Sequence, residues 1–297
     1  MLGATVSRAF WGVNRRAWLR TPEGMRDSRA GLAVGRWVHR QVQRRSSREM
    51  YVYSAFLRNR PTLELMRRLT EGKANGSTLR IAVLGCSVGA EVYSILWVLR
   101  SARADLEIGV HAVDVSPEVV EVARAGVYDP AVSDVLDPGI FDRLTERERQ
   151  EMFDWEGGSA RVKAWLREGI DWSVDDACDV ELPSRIGSHD IVVANNFLCH
   201  MDPTSAERCL RNIAQLVDPG GYLLVTGVDL DVRTKVASDL EWEPVVDLIE
   251  EIHNADPSLR DHWPWDWAGL EPLDQRRGDW RTRYATTFRI GPAYPSG

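Results

Sequence analysis

Leu79-Arg80-Ile81-Ala82-Val83-Leu84-Gly85-Cys86-Ser87-Val88-Gly89-Ala90-Glu91-Val92-Tyr93 is the stretch whose reading decides the fold. Its apolar run, 81–84, has the character of a buried strand and breaks at Gly85. Gly89 follows, and the apolar residues then resume with helical spacing through Leu96. A strand, a tight glycine turn and a helix start make a nucleotide-binding elbow. Gly85 permits the backbone of the turn, and Gly89 carries no side chain to hold a ligand away. The first N–H groups of the helix have no partners within it and point at whatever occupies the turn.

Downstream, residues 107–113 form a second apolar strand that ends at Asp114. Ser116 and Pro117 then suit the cap and first position of a helix whose apolar residues are Val119, Val120, Val122 and Ala123. Such alternation predicts a parallel sheet with right-handed crossovers, with ligands at the carboxyl ends of the strands. Asp114 is therefore placed to accept hydrogen bonds from ribose hydroxyls, its ordinary alternative being a helix-start acid. Further strands are expected at 170–174, 189–194 and 222–226, with a helix at 205–217 and a Pro-Gly-Gly turn at 218–221. Beyond Gly227 come an expected helix at 244–253, an extended stretch with Trp263, Trp265 and Trp267, and a closing strand at 283–290.

Upstream, apolar residues recur at helical spacing from 31 to 69, and Pro61 opens a second helix there. The expected organisation is a basic helical region at 1–71 ahead of a main domain at 72–297. Within that domain, 151–169 reads as a small insert and 242–280 as a Trp-rich cover.

With 297 residues, 44% hydrophobic and 27% charged, the chain has the composition of a soluble globular protein with a substantial core. Cys86, Cys178, Cys199 and Cys209 show no C-x-x-C spacing and are expected as thiols in a reducing compartment, without a disulfide framework. No apolar run approaches the length of a membrane span, and the first twenty residues lack the apolar core of a secretory signal. Rich in Arg and poor in acids, they share features with transit peptides but read as a basic helix kept in a cytoplasmic protein. Residues 1–60 carry thirteen arginines against three acids, while the whole chain has a net charge of −7. That asymmetry raises an acidic partner, a nucleic acid or an anionic membrane as partners, against the ordinary reading of a solvated face. No nucleic-acid-binding motif accompanies it.

Three ligands compete for the elbow. A phosphate-binding loop needs a lysine after its last glycine, and none follows Gly89. A dinucleotide site wants a glycine where Ser87 stands. S-adenosylmethionine needs only the turn, a ribose acid and a slot for adenine.

The run Gly85-Cys86-Ser87-Val88-Gly89-Ala90-Glu91-Val92-Tyr93-Ser94 resembles the GCSxGEExYS elbow of the chemotaxis-receptor glutamate methyltransferases, the CheR-like family, apart from Ala90. Asp114 with 123–128 (ARAGVY), 194–201 (ANNFLCHM), 217–223 (VDPGGYL) and 54–58 (SAFLR) are similar to further segments of that family. The resemblance implies a Rossmann-like class I methyltransferase of α/β class, with a mostly parallel sheet of about seven strands. It implies S-adenosylmethionine as cofactor, S-adenosylhomocysteine as product and O-methylation of a carboxylate. Cofactor contacts are implied for Ser54, Arg58, Gly85, Glu91, Asp114, Asp176, Ala177, Asn195 and Asn196, with Cys86, Ser87 and Gly89 in the same turn. The stretch 151–169 falls where the family carries a small β subdomain for substrate docking.

The chain also departs from the pattern. Asp176 stands for an Asn, His200 for the active-site Tyr, and Gly227-Val228-Asp229 for an H-S-E run, while the Trp-rich stretch has no counterpart. Arg58 is expected to orient the acceptor or the methionine carboxylate. His200 is either a base for a hydroxyl acceptor or a histidine satisfied by a backbone carbonyl. Ser87 has no base at motif spacing, and His253 and His262 show no ligand pattern, so neither a serine nucleophile nor a metal is expected. The alternatives are a small-molecule O- or N-methyltransferase using His200, or a non-catalytic regulator that binds the cofactor.

Overall fold

The computed structural model describes residues 15–46, 48, 54–129, 131, 133 and 135–291. The chain divides into two compact units, Met1–Arg48 with Asp256–Asp274, and Glu49–Ala255 with Gln275–Gly297.

The larger unit is built on β1 (Thr78–Leu84), β2 (Glu107–Asp114), β6 (Ile170–Val174), β7 (His189–Asn195), β8 (Val217–Thr226), β9 (Glu243–Pro244) and β10 (Thr287–Arg289), in the order β6-β2-β1-β7-β8-β10-β9. The first five run parallel, and β10 is antiparallel to β8 and β9. The parallel sheet expected from the strand–helix alternation, with the about seven strands that the resemblance implies, is thus present. Ile81, Ala82, Val83 and Leu84 are buried, as a strand covered on both faces requires. The chain winds outward from β1 through β2 to β6 and returns to β7 on the other side. Strand order therefore reverses between β1 and β7, where open α/β sheets bind ligands.

The helix Ala90–Ala102 buries Val92, Tyr93, Ile95, Leu96 and Leu99. The helix Arg60–Leu69 packs beside it, started by Asn59, whose side chain accepts from the Thr62 N–H, and by Pro61. This helix belongs to the larger unit, so the boundary expected at residue 71 falls inside that unit. Met50 and Tyr53, read as helical, lie outside the described residues.

Within 151–169, β4 (Phe153–Glu156) and β5 (Ser159–Val162) form a hairpin, and β3 (Val127–Tyr128) completes a three-stranded antiparallel sheet. Phe56 ties the chain before the helix Arg60–Leu69 to this sheet. Its ring lies 5.1 Å from Tyr128, 5.6 Å from Phe141 and 4.9 Å from Phe153.

Several expectations are corrected. Cys178 and Cys209 form a disulfide with Cα atoms 4.6 Å apart, so two of the four cysteines are not thiols. Tertiary packing of the 175–179 loop on the helix Pro203–Ile213 joins them, and no local spacing announces it. The helix expected at 244–253 is reduced to Ile249–His253, because Pro244 pairs with Phe288 at the sheet edge, where a residue without an N–H is tolerated. The closing strand shortens to Thr287–Arg289 after a helical turn at Trp280–Tyr284. The Pro-Gly-Gly turn is an irregularity inside β8: Val217 pairs with His189 and Tyr222 with Ile191.

The smaller unit centres on the helix Arg29–Arg45, capped by Ser28 through the Gly31 N–H at 3.1 Å and burying Leu32, Gly35 and Val38. The Trp263 indole lies directly on Gly35, where an added Cβ would sit 2.1 Å from the ring, and Trp18 meets Trp263 edge-on at 5.9 Å. Arg36 pairs with Glu271 at 3.0 Å. The tryptophans do not alternate along an extended strand: backbone bonds from the N–H groups of Trp265 and Asp266 to the His262 carbonyl fold them into turns. Nor is 242–280 one cover, since Trp242 packs on Phe288 within the larger unit.

Candidate cofactor and active site

The elbow has the backbone its glycines announced. Gly85, Ser87 and Gly89 all have positive φ, at 67°, 48° and 83°. Cys86 donates its N–H to the Val113 carbonyl at 3.0 Å, which sutures the turn to the end of β2. Asp114 completes the suture, one oxygen accepting from the Ser87 N–H at 2.8 Å and the other from the Ser116 N–H at 3.0 Å. The acid read as a ribose partner therefore also fixes the turn.

The need for glycine at 89 proves to be a packing one. A Cβ there would lie 2.9 Å from the Ala123 Cβ and 3.0 Å from the Trp172 ring, so its absence lets two helices and β6 close on the turn. At Gly85 the neighbour is Phe197, 2.8 Å from a would-be Cβ. Tyr128, matching the last residue of the ARxGxY segment, donates its hydroxyl to the Val88 carbonyl at 2.6 Å and so braces the elbow from below. Ser87 presents a buried hydroxyl with no hydrogen-bond partner, and the helix Ala90–Ala102 has no side-chain cap. Both leave polar groups unsatisfied at the turn, which suits a polar ligand. Burial, reinforced by the Asp114 charge, pushes the Cys86 thiol well up, so this cysteine is no nucleophile.

Across the switch point, Glu91 accepts from the Asn195 amide at 2.7 Å, and the Thr226 hydroxyl donates to the Asn195 carbonyl oxygen at 2.9 Å. Burial raises the Glu91 pKa, opposed first by the Asn195 hydrogen bond and then by the Arg58 charge. Arg58 follows Leu57, which holds φ 52° and donates its N–H to the Ser94 hydroxyl at 2.9 Å. Residues from the helix after β1, from β7 and from β8 thus meet in one polar chain, and the 54–58 segment brings the Arg58 charge to it. Asn196, at φ 63°, donates its N–H to the Thr226 carbonyl.

The Asp176–Ala177 loop reaches the same strand ends because Asp175 donates its N–H to the Asp114 carbonyl at 3.0 Å. Asp176 itself accepts from the Cys178 N–H at 2.8 Å, a local turn. His200 ends a short 3₁₀ turn after Phe197. Ser54 lies just before buried Ala55 and Phe56. Two participants escape a sequence reading. Thr226 is an ordinary strand-end threonine until β8 pairs with β7. Asn212 donates its amide to the carbonyls of Ala177 and Asp179 at 3.3 and 2.8 Å and so holds the loop. Its one signal is a polar residue on the face shared by buried Cys209, Leu210 and Ile213.

A switch-point site with a glycine elbow, an acid ending the second strand and no phosphate-binding lysine defines a class I methyltransferase fold. The family CheR methyltransferase, SAM binding domain, matches residues 53–235, and the chain belongs to it. The chemotaxis protein methyltransferase of Vibrio parahaemolyticus is 28% identical over 163 residues, 53% of this chain and 56% of that protein. An uncharacterized 104.1 kDa protein of Rhodobacter capsulatus is 28% identical over 166 residues, 54% of this chain and 16% of that protein. The chain thus spans little more than half the length of the first relative and a small part of the second. Among solved structures, magnesium protoporphyrin IX methyltransferase from Synechocystis with bound SAM has a TM-score of 0.35 and 16% identity, covering 62% of this chain and 69% of that one.

Proposed function

We propose that the chain is an S-adenosylmethionine-dependent methyltransferase that esterifies a carboxylate, with a protein side chain as acceptor. The observation that carries the reading is the Glu91–Asn195–Thr226 hydrogen-bond chain, which feels the Arg58 charge, together with the Ser87–Asp114 elbow, inside the family-matched segment. When bound, S-adenosylmethionine supplies a methyl group already activated on a sulfonium. Asp114 and the 176–177 loop would hold its nucleoside end, and Glu91, Ser87 and the first helical turn its amino-acid end.

The acceptor carboxylate is ionised at neutral pH and needs no base. The protein's work is to align it, and well-oriented model systems gain roughly 7–11 kcal/mol from such placement. Arg58 suits that task, since a guanidinium fixes a carboxylate through two parallel hydrogen bonds. In the transfer, a carboxylate oxygen forms the new C–O bond as the S–C bond breaks and its electron pair returns to sulfur. No metal enters the reading.

Isothermal titration with S-adenosylhomocysteine tests the donor half. The acceptor half is tested by transferring a labelled methyl group to glutamate-bearing receptor proteins and treating the product with alkali. Release of labelled methanol is expected from a carboxyl ester. Label stable to alkali would refute the carboxylate and favour an ether or amine made with His200. Binding without transfer to any acceptor would favour a regulator, and absence of binding would refute the proposal. Arg58→Ala is expected to abolish turnover while cofactor binding persists.

A further inference from the structure

The helix Arg29–Arg45, RAGLAVGRWVHRQVQRR, carries five arginines and no acid. One face is consumed within the smaller unit: Leu32, Gly35 and Val38 are buried, Trp263 lies on Gly35, and Arg36 reaches Glu271 and Asp274. The opposite face is a second apolar row. Ala30, Ala33, Val34 and Trp37 stand at spacings of three and four, so they share one side of the helix. All four are exposed, Val34 at 53% and Trp37 at 52%. Arg44 extends the row toward the C-terminus, and Arg29 and Arg40 flank it, all three exposed. Nearby in the chain, Leu19 is exposed at 58% among exposed Arg15, Arg16 and Arg20, and Met25 at 64% between exposed Glu23 and Asp27.

A helix that packs on only one side ordinarily presents polar residues on the other. Here the solvent side combines a tryptophan and aliphatic groups with a cationic border and no carboxylate. We propose that this face is a docking surface for an anionic lipid bilayer. Arginines at the border meet lipid phosphates, while Trp37 and Val34 enter the headgroup–acyl boundary, the arrangement of helices that lie in a membrane interface. Charge complementarity selects an anionic occupant. The apolar centre of the row then favours lipid over a nucleic acid, whose phosphates have nothing to set against Val34 and Trp37. No described helix is long and apolar enough to cross a membrane, so the contact is peripheral.

The test uses the full chain without cofactor, in co-sedimentation with phosphatidylcholine vesicles and with mixed phosphatidylcholine–phosphatidylglycerol vesicles. Binding is expected at least about tenfold stronger on the mixed vesicles and weakened by salt. The double variant Arg40→Glu/Arg44→Glu should lose at least about tenfold, each arginine being worth roughly fivefold on such a surface. Trp37→Ser, which leaves the charge unchanged, should also lose severalfold while its melting curve matches that of the parent. Equal binding to both vesicle types overturns the proposal. So does unchanged binding by Trp37→Ser, which would reduce the contact to bulk charge. Preferential capture by soluble polyglutamate or by duplex DNA, with vesicles unable to compete, would also overturn it and assign the face to an acidic protein or a nucleic acid.

Discussion

Replacing Gly89 by alanine tests the claim that the elbow is held by packing as well as by backbone conformation. The residue sits at φ 83°, where an L side chain costs about 1–2 kcal/mol. Its new Cβ would stand 2.9 Å from the Ala123 Cβ and 3.0 Å from the Trp172 ring. Relieving such overlap in a packed core costs roughly 1–3 kcal/mol, so Gly89→Ala should lose about 2–5 kcal/mol of stability. Gly109 in β2 provides the control, because a Cβ there meets nothing within 4 Å. Gly109→Ala removes backbone freedom from the unfolded chain and should gain up to about 1 kcal/mol. Urea unfolding followed by far-ultraviolet circular dichroism measures both, with equal m-values required for the comparison. Adding Ala123→Gly to Gly89→Ala removes the nearest clash but not the backbone strain. A double-mutant cycle should therefore return a coupling of about 1 kcal/mol. A loss below about 0.5 kcal/mol in Gly89→Ala, or a coupling of zero, would refute the packing account.

Two other outcomes follow from groups remote from the elbow. His189 begins β7, buried, with Nε2 2.7 Å from Nδ1 of His111. Burial first, then the His111 and Arg80 charges, lower its pKa to about 4, against roughly 6.5 in an unfolded chain. The unfolded state therefore binds more protons, so this stability is fully present above pH 6.5 and is lost as pH falls toward 4. The loss is up to about 3 kcal/mol, and His189→Gln should flatten the acid limb of the urea midpoint against pH; an equally steep limb would exclude His189 as its source. The Cys178–Cys209 bridge spans 31 residues and should contribute roughly 3–4 kcal/mol by limiting the unfolded chain. Thiol titration of the denatured, unreduced protein should find two thiols, Cys86 and Cys199, and reduction should lower the melting temperature; four thiols would refute the pairing.

What could be read before the fold was known follows the range of the interactions involved. β1, the glycine turn and the next helix are set by neighbours within a few residues, so the run from Leu79 to Tyr93 discloses them. Asp114 is legible because a strand must end before Ser116-Pro117 can start a helix. The disulfide was missed because Cys178 and Cys209 meet only once the 175–179 loop packs on a helix from another part of the chain. Thr226 and Asn212 were missed for the same reason, since each acquires its partner through packing between distant segments. The tryptophans misled in a different way. Alternation at 263, 265 and 267 has the period of a strand, but Trp263 is claimed by Gly35, and the backbone turns at His262 to allow it.

The same distinction separates the two halves of the proposed reaction. The donor side rests on the elbow, where sequence and geometry coincide. The acceptor side rests on how Glu91 is balanced. Asn195 gives it a neutral amide donor at 2.7 Å. A neutral donor satisfies the carboxylate's geometry without cancelling its charge. The cationic side chain whose charge acts on Glu91 is Arg58, delivered by a different segment through the unusual backbone of Leu57. If Arg58 is drawn to the acceptor carboxylate, Glu91 loses a charge that opposes the effect of its burial, and its ionised form then depends on another cationic partner. A sulfonium carrying an ammonium group is such a partner. Under the proposed function, acceptor and cofactor would therefore reinforce each other's binding through Glu91.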